Sequence, residues 1–303
     1  MKRALSPSLK APALVSTSWL GSNLKSVKVV DASWYLPAMN RDGRAEFLEK
    51  RIPGAVFYDI DVTDDTSTLP HMLPTESFFA STMNDLKIGN DDHVVVYDGN
   101  GLFSAGRLWW MLRAFGHERA SVLDGGFPKW CIEDRILETG PPPPLPETPP
   151  VSPFVAKLQR DRVCSVAKLK GLVEAGAGEP IPVVDARAAA RFEGTVAEAR
   201  PNCRSGHIPG SRCLPFTAVL NEDRTVKSKE EIIALFKAIG SNIDEESLIG
   251  SCGSGVTASV LALALDHAGR EDLLEIYDGS WAEWGSDPLL PLSTGPASAG
   301  ATQ

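Results

Sequence analysis

The chain writes one pattern twice, and that repeat constrains the fold more than any other feature. VKVVDASW at 27–34 is answered by IPVVDARA at 181–188, and IPGAVFYDI at 52–60 by IPGSRCLPF at 208–216. HVVVYDGNG at 93–101 is answered by SLIGSCGSG at 247–255, and VLDGGFPKW at 122–130 by IYDGSWAEW at 276–284. Four anchor pairs share one offset: 185 − 31, 252 − 98, 278 − 124 and 284 − 130 all equal 154. The pair Pro53 and Pro209 differs by 209 − 53 = 156, so small insertions separate the anchors. A period this long is not that of a solenoid; it is the duplication of a whole domain. A length of 303 residues accommodates two domains, each large enough to bury its own core.

Each half alternates strand and helix signals. Val27–Asp31 and Val183–Asp185 are short β-branched runs that end in an acid. His93–Asp98 and Ser247–Cys252 are apolar runs that stop at a glycine-rich turn, and helical patterns follow at Ser104–Phe115 and Val256–Ala268. This alternation predicts an α/β fold: two tandem domains, each a parallel sheet with helices on both faces. In such sheets ligands bind at the carboxyl ends of the strands, which is where Asp98 and Cys252 fall.

Between the halves, GPPPPLPETPPVSP at 140–153 has eight prolines in fourteen residues. It cannot support a helix or a central strand and favours extended polyproline II. The expected organisation is a first domain at 14–139, a proline-rich linker at 140–155, a second domain at 156–292 and a disordered tail at 293–303.

Composition excludes several classes. A net charge of −9 offers no general basic field for nucleic acid, so any anion site must be built locally. No apolar run approaches the roughly 18 residues that a membrane helix needs. The basic N-terminus carries Lys2, Arg3 and Lys10 without an apolar segment of secretory type, and it reads as an unstructured start or a short organellar presequence. The cysteines, Cys131, Cys164, Cys203, Cys213 and Cys252, are odd in number and contain no Cys-x-x-Cys pair. They suggest free thiols in a reducing compartment rather than a zinc site or a disulfide framework.

One cysteine stands apart. CGSGVTA, Cys252 to Ala258, lies between a strand and a helix. Its glycines let the backbone curl without a Cβ penalty. A tight loop of this kind points successive N–H groups inward, and the helix N-terminus adds its dipole. Gly253, Gly255, Val256 and Thr257 are the candidate cradle, and a cysteine held there favours the nucleophilic thiolate.

Together with HMLP at 71–74, RFEG at 191–194, GHIPG at 206–210 and YDGSWAEW at 277–284, this loop resembles the tandem rhodanese family over about residues 14–292. Within that family the chain is similar to the 3-mercaptopyruvate sulfurtransferases. The resemblance implies an inactive first domain and a catalytic second one; Asp98, standing where the repeat has Cys252, agrees. It implies that Cys252 carries sulfur as a persulfide, with no metal or organic cofactor. The acceptor would be thioredoxin, a small thiol or cyanide, and the location the cytoplasm or a mitochondrion. Arg191 and Arg200 match the arginines that hold the donor's carboxylate and keto oxygen, work that suits planar guanidinium groups. The Val196-Ala197-Glu198-Ala199 segment departs from the family's proline-rich stretch, so Arg187 and Arg204 compete for the place given to Arg200. Ser254, His71 and Asp61 match a proton-handling triad spanning the two domains.

The loop also separates relatives. Thiosulfate-using members carry basic side chains after the cysteine, whereas Gly253, Ser254 and Gly255 are uncharged. A phosphatase of related fold needs Cys-x5-Arg, and the sixth residue after Cys252 is Ala258. The rivals left standing are a thiosulfate:cyanide sulfurtransferase and a non-enzymatic sulfur-relay or partner-binding module. Trp281 and Trp284 are expected either at the mouth of the site or in the core, and Cys203 as a passive thiol or a second redox thiol.

Overall fold

The β-branched runs become the inner strands of two sheets. The computed structural model describes residues 10–64, 67–176, 180–244, 247–271 and 273–297; the basic stretch 1–9 lies outside the described residues. The chain divides into two units. Unit 1 takes the chain before Ser67 together with Pro74–Gln159 and Glu222–Thr225, and unit 2 takes Ser67–Leu73, Arg160–Asn221 and the chain from Val226 on.

In unit 1 the strands are β1 (Leu14–Val15), β2 (Lys28–Asp31), β3 (Lys50–Arg51), β4 (Val56–Phe57), β5 (Val94–Tyr97), β6 (Ala120–Leu123) and β7 (Glu138–Thr139). The helices are α1 (Thr17–Asn23), α2 (Gly43–Glu49), α3 (Glu76–Asp85), α4 (Ala105–Ala114) and α5 (Gly126–Ile132). The main sheet runs β1-β6-β5-β2-β4, every pair parallel, and β3 pairs with β7 in a separate antiparallel ribbon. Every residue of β5 is buried, as is every residue of α4 beside it. A strand covered on both faces needs a continuous apolar run, and VVVY supplies one.

Unit 2 repeats the plan with β8 (Val163–Cys164), β9 (Val183–Asp185), β10 (Arg212–Cys213), β11 (Leu248–Ser251) and β12 (Leu274–Tyr277). Its helices are α6 (Val166–Gly176), α7 (Ala189–Phe192), α8 (Lys229–Ala238), α9 (Ala258–His267) and α10 (Ser280–Trp284). The sheet order is β8-β12-β11-β9-β10, again all parallel, which is the order of unit 1 strand for strand. The central strand, β5 or β11, is flanked by one strand that precedes it in the chain and one that follows. The order thus reverses direction there, and a crevice opens at its carboxyl end.

The proline-rich segment packs along unit 1. Arg51 Nη1 donates to Gly140 O (2.5 Å), Gly89 bridges to Pro153, and the buried Phe154 meets Phe79 edge-on. The tail expected to be disordered from 293 is bonded at its start. Ser293 exchanges main-chain hydrogen bonds with His207, and Gly295 N donates to Glu193 O; residues 298–303 lie outside the described residues. No helix among the described residues is long and apolar enough to cross a membrane.

Candidate active site

β11 ends at Ser251, and the chain turns directly into Cys252, which is 1% exposed. The start of α10 clamps this turn. Cys252 N donates to Ser280 Oγ (3.2 Å), Trp281 N to Cys252 O (3.0 Å) and Ala282 N to Gly253 O (2.9 Å). Ser280 holds a left-handed backbone (φ 49°), and its hydroxyl donates to Tyr277 O (2.8 Å). The YDGSWAEW segment therefore serves as the buttress of the cysteine loop. Gly255 takes φ +75°, where a side chain would be strained, and α9 begins three residues later with Thr257 as its cap. Val256 is buried and Thr257 partly so.

Two guanidinium groups lie against this loop. A Cβ placed on Gly253 would sit 3.4 Å from Arg200 Nη1 and 3.5 Å from Arg191 Nη2. Arg200 Nη2 also donates to Ser254 Oγ (3.1 Å). The competing arginines are committed elsewhere. Buried Arg187 holds Asp185 through Nε and Nη2, reaches Glu198 through Nη1 (2.7 Å) and lies over the Trp281 ring (4.5 Å). Arg204 spends its donors on the carbonyls of Trp284, Gly285, Asp287 and Leu290.

His71 belongs to unit 2, is 4% exposed and takes φ 59°. Its segment is anchored where Leu73 N donates to Asp278 Oδ2 (2.8 Å). Asp61 falls in unit 1, where its Oδ2 accepts the Trp34 indole N–H (2.7 Å). The structure thus gathers Cys252, Gly253, Ser254, Arg191 and Arg200 in one cluster, with His71 in the same unit and Asp61 in the other.

In unit 1 the equivalent loop is filled from within. The buried Asp98 carboxylate accepts from the amides of Phe103 (2.7 Å), Ser104 (2.9 Å) and Ala105 (2.8 Å) through Oδ2, and from Asn100 (2.9 Å) through Oδ1. Its negative charge rests on the first turn of α4, where main-chain N–H groups are otherwise unmet.

The family model for the rhodanese-like domain matches this chain twice, at residues 16–133 and 165–287. The chain belongs to the rhodanese family. A 3-mercaptopyruvate sulfurtransferase of Rattus norvegicus is 43% identical over 281 residues, covering 90% of this chain and 91% of the relative. An Arabidopsis thaliana relative named thiosulfate/3-mercaptopyruvate sulfurtransferase 1, mitochondrial, is 42% identical over 93% of this chain and 78% of its own length. Among solved structures, the 3-mercaptopyruvate sulfotransferase of Escherichia coli superposes with a TM-score of 0.76 at 38% identity, covering 89% of this chain and 99% of that one.

Several residues of this rhodanese site escaped the sequence reading. Glu198, in the sequence only part of a departure from a proline-rich stretch, is a buried carboxylate that joins Arg187 to Arg191. An acid placed between two arginines that are themselves assigned to an anion was the available signal. Ser280 and Asp278, which brace the cysteine loop and the His71 segment, carried no signal beyond their place in the repeat. Trp281 and Trp284 are fully buried, with indole N–H groups donating to Arg204 O and Pro291 O, so both belong to the core and not to the mouth. All five cysteines are free. Burial pushes the Cys203 thiol up, and Cys164 and Cys213 up to about 12, which disfavours the thiolate in these three.

Proposed function

We propose that this rhodanese moves sulfur from 3-mercaptopyruvate to a thiol acceptor through a persulfide on Cys252. The observation that carries the reading is the pair of guanidinium groups, Arg191 and Arg200, against Gly253 in a loop with no charged side chain of its own. Two planar donors beside the nucleophile suit an α-keto carboxylate. The rat and bacterial relatives named above support the choice of donor.

In the first half-reaction the Cys252 thiolate attacks the donor sulfur. The donor C–S bond breaks, its electron pair leaves on pyruvate enolate, and a proton delivered to carbon completes pyruvate. Arg191 and Arg200 offset the growing charge, and the main-chain amides of Gly253, Gly255, Val256 and Thr257 face the sulfur anion. Ser254 is assigned, with His71 and Asp61, to proton transfer at the donor. In the second half-reaction an acceptor thiolate, on thioredoxin or a small molecule, attacks the outer sulfur and returns Cys252 to its thiolate. Asp98 cannot accept sulfur in this way, so the first domain, taken as 14–139, is silent, and the domain at 156–292, beyond the 140–155 linker, is catalytic. The expected location is the cytoplasm, with the mitochondrion as the alternative that the Arabidopsis relative favours.

That relative's name also supports a second reading, thiosulfate as donor. Pyruvate release from 3-mercaptopyruvate with dithiothreitol, run beside a thiosulfate–cyanide assay, decides between them. At least tenfold higher turnover with mercaptopyruvate is expected. Higher turnover with thiosulfate would replace the donor, and none with either would leave a relay or binding module.

A further inference from the structure

Arg191 does not meet the site as a bare cation. Behind it runs a ladder of alternating charge: Asp185, Arg187, Glu198, Arg191. The side chains of Asp185 and Arg187 are 1% exposed and that of Glu198 is 2% exposed, whereas Arg191 is 27% exposed at the end of the ladder. One Glu198 oxygen takes Arg187 Nη1 at 2.7 Å and the other takes Arg191 Nη2. The same Arg191 nitrogen lies 3.5 Å from the position of a Gly253 Cβ. The four charges sum to zero, and Arg200, the second guanidinium beside Gly253, donates to Ser254.

We infer that Glu198 sets donor selectivity by holding the charge of Arg191 in check, so that the site suits a donor with one carboxylate over a dianion. It is a positioning and specificity residue that acts through Arg191 and touches no reacting atom. The inference rests on the mercaptopyruvate reading above. A buried carboxylate in direct contact with a guanidinium lowers the potential that the guanidinium presents on its far side, and low local polarisability strengthens the effect. The benefit of that guanidinium to a dianion such as thiosulfate is thereby cut more than its benefit to a monoanion. The uncharged loop and the buried acid then work in the same direction.

The test is Glu198→Gln, which keeps the shape and one accepting oxygen and removes the charge. The ratio of kcat/KM for thiosulfate to that for 3-mercaptopyruvate is expected to rise tenfold or more, carried mainly by KM. A parallel fall with both donors at constant ratio would make Glu198 a prop of the fold and overturn the inference; so would a fall in the ratio. Should the glutamine variant fail to fold, Glu198→Asp decides. It keeps the charge but draws the carboxylate back by one methylene, which loosens its hold on Arg191, so the ratio should rise twofold to fivefold, and an unchanged ratio overturns the idea. Binding of pyruvate and of thiosulfate to Cys252→Ser protein, with and without Glu198→Gln, separates this inference from the functional reading. If the unmodified enzyme turns over neither donor yet the binding ratio shifts toward thiosulfate, the charge argument stands and the assignment of activity falls.

Discussion

The two loops at the carboxyl ends of β5 and β11 share a backbone plan and differ in what fills them. In unit 1, Asp98 folds its carboxylate onto the amides of residues 103–105, and the anion is part of the chain. In unit 2 the same place belongs to Cys252, whose side chain is one atom shorter. A carboxylate oxygen stands two bonds beyond Cβ, and so does the outer sulfur of a cysteine persulfide. By the 154-residue offset those amides answer to Thr257, Ala258 and Ser259, so on the proposed reading a persulfide anion on Cys252 would reach the start of α9 as Asp98 reaches the start of α4. One loop is closed by an acceptor that belongs to the chain, whereas in the proposed cycle the other would receive its anion from the donor.

The largest expected effect breaks this comparison at its reactive member. Cys252→Ser should lower pyruvate release from mercaptopyruvate by at least roughly 10³-fold, because the step then has no sulfur nucleophile. Adding Asp98→Cys to that variant should restore nothing, and measurable recovery would show that the first loop is a second active site. The next effect concerns stability and reverses the ranking of the two loops. Asp98→Ala removes the acceptor of several amide bonds and leaves those donors buried, at a cost of about 3 to 5 kcal/mol. Cys252→Ala should cost less than about 1 kcal/mol, since the loop is tied through its backbone and not through sulfur. Urea unfolding followed by tryptophan fluorescence checks both; equal losses would mean that the Asp98 bonds contribute little.

The inner architecture was legible because it is written in long, repeated signals. VVVY and the run before Cys252 became the buried central strands, and the helical patterns after the two loops became α4 and α9 to within two residues. The edge strands were not legible. β1, β4, β8 and β10 have two residues each, too few for any periodicity to register. Nor did composition announce that Ser67–Leu73, which carries His71, groups with unit 2 while Glu222–Thr225 groups with unit 1. The site divides in the same way. The cysteine loop is local and readable, whereas the Glu198 ladder comes from the end of β9, the short helix α7 and the loop after it. Only the folded chain brings those three into contact.

The smallest effects sharpen the comparison at the acid that closes β2 and β9. Asp185 has Arg187 two residues on, whereas Asp31 has Ser33, whose N–H and Oγ both donate to Asp31 Oδ1 (2.9 and 2.5 Å). Asp185→Asn should therefore cost about 3 kcal/mol at neutral pH, because it strips a buried arginine of a partner. The Asp31 carboxyl is raised from 3.8 to about 6, chiefly by desolvation, with Asp98 adding repulsion and hydrogen bonds from Ser33 and Tyr97 acting against both. A folded-state value above the unfolded one means that the folded chain binds the proton more tightly. Stability from this group is thus full below 3.8 and falls as pH rises through about 6. Two units correspond to at most about 3 kcal/mol, and about 2 is expected for a carboxylate that accepts from both Ser33 and Tyr97. Asp31→Asn does not titrate, so its stability relative to the unmodified protein should climb by that amount between pH 4 and pH 8. A difference that stays flat across this range would show that Ser33 compensates the buried charge of Asp31 as fully as Arg187 compensates that of Asp185.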